Sequence, residues 1–375
     1  MNFSHLEQFM KSLSDTYGIP GASCRVWHKH KEVFSIDVGV RDIETGEPMH
    51  GNEIMDVYSA SKPVTAVAAM QLIEKGILSP NDPMSRYFPA YANTTIMDEA
   101  GWPQPLRENI TLGHMMSMTS GFTYDTKTPA ILQVMQENGG ELPTLAFAEA
   151  VAKSPVQFVP GTHWLYNIGL DVTAAVVEKV TDMRFSEYVK KYIFDPLGMT
   201  SSFYHPEEVP ADRYVKCYNQ IDGKFVKRPR NPFHIGTQFE SGGGGLISCA
   251  DDYIRLVDAL ANGGVGVTGQ RILQPVTIDM MRRNRLTPAM RRDIPWDQCK
   301  GYGYGLGVRT LVDQTEAAAL APIGEFGWDG LKGAYLVADP INQLALFYVE
   351  QTGTNKEYLH PRLRNLMYIG YNWKD

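Results

Sequence analysis

One Ser-x-x-Lys tetrad, Ser59-Ala60-Ser61-Lys62, stands out in the chain. A serine hydroxyl is a poor nucleophile until a neighbouring base takes its proton. An amine three residues further along a helix lies within reach if desolvation keeps it neutral. Such a pair suits acyl transfer, in which the hydroxyl oxygen attacks a carbonyl carbon and holds the acyl group covalently. The same tetrad also reads as an N-cap serine followed by a solvated lysine. What separates the two is the helix it opens, because an apolar helix can bury the amine and a polar one cannot.

That helix is legible. From Ser59 onward, Val64, Val67, Ala68, Leu72 and Ile73 recur with helical period, Pro63 is tolerated in the first turn, and Gly76 supplies the stop. Ser59 is therefore placed at a helix N-terminus, where backbone N–H groups and a positive field favour developing negative charge. Upstream, the Gly18-Ile19-Pro20-Gly21 breaker precedes two alternating runs, Ala22 to His28 and Glu32 to Val38, which read as a hairpin turning at Lys29 to Lys31. Residues 80 to 255 alternate helical patterns (Thr144 to Lys153, Asp171 to Val180, Phe185 to Ile193) with Pro- and Gly-rich loops. Gly303 to Thr310, Ala334 to Ala338 and Leu344 to Glu350 are short β-type runs, followed by a helix near His360 to Gly370. Strands at both chain ends with helices between imply an α+β fold, an antiparallel sheet built from both termini and flanked by helices. The expected division is a sheet domain of residues 1–80 and 256–375 and a mainly helical insertion, 81–255.

Composition narrows the function classes. With 375 residues, 43% hydrophobic and 21% charged, the chain has a core far too large for a disordered or fibrous protein. The net charge of −7, with only Lys224, Lys227, Arg228 and Arg230 clustered, argues against nucleic acid as a partner. No run is long and apolar enough to span a bilayer. Residues 1–17 read as an amphipathic helix without a cleavage site, and Cys24, Cys217, Cys249 and Cys299 form no C-x-x-C pair, so free thiols and a cytoplasmic address are expected. There is no G-x-S-x-G, no H-E-x-x-H and no phosphate-binding glycine loop, so neither a metal nor a cofactor is expected. His28 and His30 read as solvated hairpin residues, and His114 and His163 as structural.

Several blocks, in order, resemble the serine β-lactamase-like and penicillin-binding-type hydrolases. Val57-Tyr58-Ser59-Ala60-Ser61-Lys62-Pro63 is similar to the family's first motif, and Met116-Ser117-Met118-Thr119-Ser120-Gly121 to its L-S-H-T-S-G segment. Pro160-Gly161-Thr162-His163-Trp164-Leu165-Tyr166 resembles its P-G-x-x-x-x-Y segment, and Asp195-Pro196-Leu197-Gly198-Met199 its P-L-G-M turn. Gly242-Gly243-Gly244-Gly245-Leu246 matches its glycine-rich strand entry, and Trp328-Asp329-Gly330 stands where K-T-G would lie. The branch most resembled is the class C β-lactamase-like esterases, or family VIII carboxylesterases, with related acyltransferases.

The resemblance implies a β-lactamase/transpeptidase-like fold with Ser59 as the acylated nucleophile, Lys62 as its proton partner and Tyr166 as a second acid or base. It implies an oxyanion hole of the Ser59 and Leu331 backbone N–H groups, with Leu331 following Trp328-Asp329-Gly330 on an edge strand. Trp328, Asp329, Gly330, Asn167, Ile168, Gly243 and Gly244 would line the substrate site. Which of Lys62 and Tyr166 is the resting base stays open. Bland readings stand beside these: a core tyrosine at 166, a tight surface turn at 328–330, a loose loop at 242–245.

Two departures bear on substrate. The family's Asn two places after the tyrosine is here Ile168, with Asn167 one place early, and the third-motif lysine is replaced by Trp328 beside Asp329. Both changes remove anchors for an anionic amide substrate and point to small, neutral or apolar acyl esters, for which a Trp-walled cleft is suited. An acyltransferase, a β-lactamase or D-amino-acid peptidase, and a non-enzymatic sensor that is acylated once are the alternatives, and oligomeric state is not legible.

Overall fold

A computed structural model describes residues 1–228 and 231–374, so Arg230 of the basic cluster lies outside the described residues. Ten strands organise the parts that matter for the site: β1 (Gly21–His28), β2 (Lys31–Asp42), β3 (Glu47–Pro48), β4 (Ile54–Asp56), β5 (Ile247–Cys249), β6 (Tyr302–Tyr304), β7 (Arg309–Leu311), β8 (Phe326–Asp329), β9 (Tyr335–Asp339) and β10 (Leu344–Glu350). Eight of them form one antiparallel sheet in the order β6-β7-β8-β9-β10-β1-β2-β3. The C-terminal strand β10 pairs with the N-terminal β1, so the sheet is assembled from both chain ends and flanked by helices. This is the α+β architecture of the β-lactamase/transpeptidase type.

Alternation along β10 shows how the sheet separates two cores. Leu344, Leu346 and Tyr348 face the layer formed by α1 (Ser4–Lys11) and the C-terminal helix, while Ala345, Phe347 and Val349 face the opposite, larger core. The expected hairpin is present, with the turn tightened to Lys29 and His30, both at positive φ as a two-residue hairpin requires. His30 is not simply solvated: its Nδ1 lies 2.7 Å from Asp258 Oδ2 and ties the hairpin to the helix Ala250–Ala261. The β-type run at Gly303 to Thr310 is two strands, β6 and β7, because the chain reverses across Gly305 to Val308, where Gly307 takes φ +83°.

Helix α2 (Ser61–Glu74) carries the tetrad's lysine and is the buried axis of the molecule, with every residue from Ser61 to Leu72 buried. It packs against α3 (Gly169–Thr181) on the helical side and reaches β8 on the sheet side. Helix α4 (Ala250–Ala261) lies on the sheet against β10 and β1, where the Tyr253 ring stacks on Phe347 at 4.3 Å. The expected helices at 144, 171 and 185 form as Thr144–Val151, α3 and Phe185–Val189. The last helix, α5 (Lys356–Tyr371), starts four residues earlier than its periodicity indicates.

Candidate active site

The tetrad does not enter α2 as a plain helix start. Tyr58 to Ala60 form a 3-10 turn, and the α-helix proper begins at Ser61. Tyr58 sits at φ +48°, a left-handed conformation that costs a bulky residue about 1 kcal/mol or more and persists only where its surroundings impose it. Those surroundings are visible: Ser61 Oγ donates to Tyr58 O at 2.5 Å, and Tyr253 of α4 donates its hydroxyl to Ala60 O. The turn thus presents Ser59 partly exposed at the head of a buried helix.

Lys62 is fully buried, and among the described residues its Nζ has three polar neighbours: Ser59 Oγ at 3.1 Å, Tyr124 Oη at 3.1 Å and Gly243 O at 2.6 Å. None is a carboxylate. Burial pulls the Lys62 ammonium down to about 7, against the weaker upward pull of Asp171 and Asp329. Tyr166 donates its hydroxyl to Ser59 Oγ at 2.6 Å, and burial holds its phenol well above the ordinary range. Ser59 and Lys62 of one tetrad and Tyr166 from a distant block therefore meet around one oxygen.

The glycine run lies against α2 because three α2 side chains hold it. Ser61 Oγ accepts from Leu246 N at 2.9 Å, Lys62 grips Gly243 O, and Thr65 donates to Gly242 O at 2.7 Å. A Cβ on Gly242 would lie 2.6 Å from Leu170 O, and one on Gly243 would lie 2.4 Å from Asp171 Oδ2, so neither position has room for a side chain. Gly244 packs under the Phe233 ring, and its carbonyl accepts from Asn231 Nδ2 at 2.9 Å.

The Trp328-Asp329-Gly330 segment lies on β8, which is an interior strand of the sheet and not the expected edge strand. Pairing with β7 nevertheless stops at Gly327, so Trp328 and Asp329 pair with β9 alone. A Cβ on Gly330 would sit 2.3 Å from Val57 O, which brings the segment hard against the turn that presents Ser59. Gly330 N donates to Ala334 O and Gly333 N to Gly330 O, closing a tight turn with exposed Leu331 at its tip. Burial opposes ionisation of Asp329, but Lys356, with Nζ 3.7 Å away, and the His360 ring outweigh it and hold the carboxyl well below its usual range.

Asn167 and Ile168 are not presented to the cleft in the way their alignment implies. Asn167 is fully buried, with Oδ1 accepting from Gly169 N at 2.7 Å and Nδ2 donating to Leu165 O at 2.8 Å, and Ile168 packs into the core at the start of α3. Their work is to turn the chain from Tyr166 into the helix.

Three residues at the site went unread in the sequence. Tyr124 touches Lys62 and stacks on Tyr166 at 5.1 Å; its one signal is its place three residues after the Met116 to Gly121 block. Asp171 lies in the first turn of α3, beneath Gly243. Trp296, partly exposed, meets the Tyr166 ring edge-on at 5.1 Å and the Trp328 ring at 6.2 Å, and packs with buried Trp164 and Tyr304 in one aromatic cluster.

Known proteins align along almost this whole length. The chain is 29% identical over 364 residues to Protein Rv1367c of Mycobacterium tuberculosis, covering 94% of this chain and 90% of that one. It is 30% identical over 302 residues to the lovastatin esterase of Penicillium rubens, covering 73% and 71%. Among solved structures, EstCE1, described as a hydrolase with promiscuous acyltransferase activity, shares the fold with a TM-score of 0.80 at 23% identity over 98% of both chains. The family model described as Beta-lactamase matches residues 6–368, and the chain belongs to the Beta-lactamase family, a fold family of serine hydrolases and acyltransferases in which its homologues include esterases and acyltransferases.

Proposed function

We propose that the protein is a serine hydrolase of the carboxylesterase type, acting on small neutral acyl esters through an acyl-enzyme at Ser59. The observation that carries this reading is the set of contacts around Lys62 Nζ. A neutral amine has two N–H bonds and one lone pair; Gly243 O and Tyr124 Oη accept the two N–H bonds, and the Ser59 hydroxyl faces the lone pair. With the Tyr166 phenol held up by burial and the Lys62 amine brought down to about 7, Lys62 is the resting base and Tyr166 the resting acid.

In acylation, Ser59 Oγ attacks the ester carbonyl carbon as its proton passes to Lys62 Nζ. The backbone N–H groups of Ser59 and Leu331 receive the oxyanion. As the tetrahedral adduct collapses, Tyr166 gives its proton to the departing alkoxide and regains one from the Lys62 ammonium. Water then enters where the alcohol left and attacks the acyl carbon as it gives a proton to the same pair; the bond to Ser59 Oγ breaks, the oxygen takes that proton back, and the acid leaves. Trp296, the partly exposed member of an aromatic cluster that buried Trp164, Trp328 and Tyr304 back from the core, favours an apolar acyl group, and Asp329 next to Trp328 disfavours a substrate carboxylate. The four buried free thiols are consistent with a reducing compartment.

Intact-mass spectrometry after incubation with a serine-directed phosphonate and a panel of short-chain esters tests the reading. It requires a single adduct that peptide mapping places on Ser59. No adduct, or one on another residue, overturns it. A second reading, transfer of the acyl group to an alcohol, is favoured by acyltransferases among the relatives; product partition with and without an acceptor alcohol separates the two. Rapid turnover of a chromogenic cephalosporin would point instead to β-lactamase activity.

A further inference from the structure

Beneath the glycine run lies a buried acid that the reaction above does not use. Asp171 is 1% exposed. Its Oδ1 accepts from Gly243 N at 3.0 Å and from the Ser241 hydroxyl, while Oδ2 has no hydrogen-bond partner among the described residues. Gly243 is the residue whose carbonyl takes the Lys62 N–H at 2.6 Å. One residue therefore has its N–H on the carboxylate and its C=O on the amine. The missing side chain makes this possible, since a Cβ there would lie 2.4 Å from Asp171 Oδ2 and 2.9 Å from Tyr124 Oη.

We propose that Asp171 is a positioning residue for the acyl-transfer reaction, fixing the Gly243 carbonyl on Lys62 and placing a negative charge behind the amine. The inference rests on the Ser59 acyl-enzyme reading and adds to it the group that sets how readily Lys62 takes a proton. Among the described residues the groups facing Lys62 are Asp171 from α3, Asp329 from the end of β8, and the phenols of Tyr124 and Tyr166. Asp329 is committed to Lys356 and His360 from α5, whereas Asp171 has only neutral hydrogen-bond donors. Asp171 is accordingly the carboxylate whose field Lys62 feels most strongly. Burial raises the Asp171 carboxyl, and the Lys62 charge, Ser241 and the Gly243 N–H pull it back down, so the two groups support each other's charged forms.

The sign follows directly. A carboxylate favours the ammonium, so its removal makes Lys62 lose its proton at lower pH. Asp171→Asn keeps an oxygen for Ser241 and Gly243 but drops the charge. The acid limb of kcat/KM for a neutral ester should move to lower pH by about half a unit or more, with the melting temperature close to wild type. Ser241→Ala, which weakens the carboxylate's hydrogen bonding without touching Lys62, should move the limb the same way by less. Asp171→Ala, which also frees Gly243, should lose activity at every pH. An unmoved limb in Asp171→Asn, or one moved to higher pH, overturns the proposal, and if that variant does not fold the Ser241→Ala limb decides by the same criterion. Phosphonate labelling of wild-type Ser59 distinguishes this failure from failure of the underlying reading: labelling with an unmoved limb removes Asp171 alone, and absence of labelling removes both.

Discussion

Two buried polar clusters in this molecule solve the same problem in opposite ways. On the α5 side of the sheet, Arg364 donates to Tyr302 Oη at 2.8 Å and to Ala317 O at 2.9 Å, Tyr302 donates to Glu325 at 2.7 Å, and Arg309 lies over the Tyr335 ring at 4.7 Å. Two arginines share that region with Glu325, which is linked to Arg364 through the Tyr302 phenol, and neighbouring charges offset part of the cost of burial. Around Lys62 the partners are a hydroxyl, a phenol and a carbonyl, and the nearest carboxylate is set back behind Gly243. A buried cation with neutral partners gives up its proton, and that is the difference between a group that holds a fold together and a group that can act as a base.

The comparison can be broken at either end. Ser59→Ala should reduce ester turnover by about 10⁴-fold or more with an unchanged melting curve, since it removes the reacting oxygen and no packing; appreciable residual turnover would return the Lys62 cluster to the structural class. Tyr166→Phe should slow acylation by roughly 10²-fold to 10⁴-fold without unfolding, as measured by single-turnover kinetics, because only the acid's hydroxyl is lost. Arg364→Ala should do the reverse, lowering stability by about 3 kcal/mol in urea titration while activity per folded molecule holds. If activity falls and stability does not, the two clusters are not separate in role.

Finer tests address protonation. Wild-type kcat/KM should fall roughly tenfold per unit as pH drops below about 7, where the Lys62 amine becomes ammonium. The same shift makes the lysine a stability cost. Its folded value lies below the ordinary 10.5, so the penalty is complete below about 7 and fades as pH rises toward 10.5. Lys62→Met should therefore be inactive yet more stable than wild type by about 1 kcal/mol or more at neutral pH, with the gap closing in alkaline melts. A variant no more stable than wild type would mean that Lys62 is already well solvated or paired.

The parts of the site that local chemistry specifies were legible in the sequence. Ser59 and Lys62 are three residues apart on one helix, and Tyr166 ends a block of recognisable spacing. Tyr124 and Asp171 were not, because Tyr124 meets Lys62 across 62 residues of chain and Asp171 reaches it only through Gly243, 181 residues from Lys62. The inward directions of Asn167 and Ile168 are not legible, because they depend on how the chain enters α3, which spacing does not fix. The sheet was foreseen from strands at both ends. The interior position of β8 and the split of the run at 303–310 were not, because β6 and β7 are three residues each and their pairing is decided by tertiary contacts.

The all-round burial of α2 has a consequence for how this protein can diversify. A helix with no solvent face tolerates few substitutions, since each of its side chains is already fitted to a neighbour. New acyl preferences must therefore arise in the separate segments that lean over Ser59, with Tyr124, Phe233 and Trp296 each contributed by a different loop. Selection for a different ester would be expected to rewrite those loops and leave the central helix untouched, so the reaction is inherited whole while its range of substrates drifts.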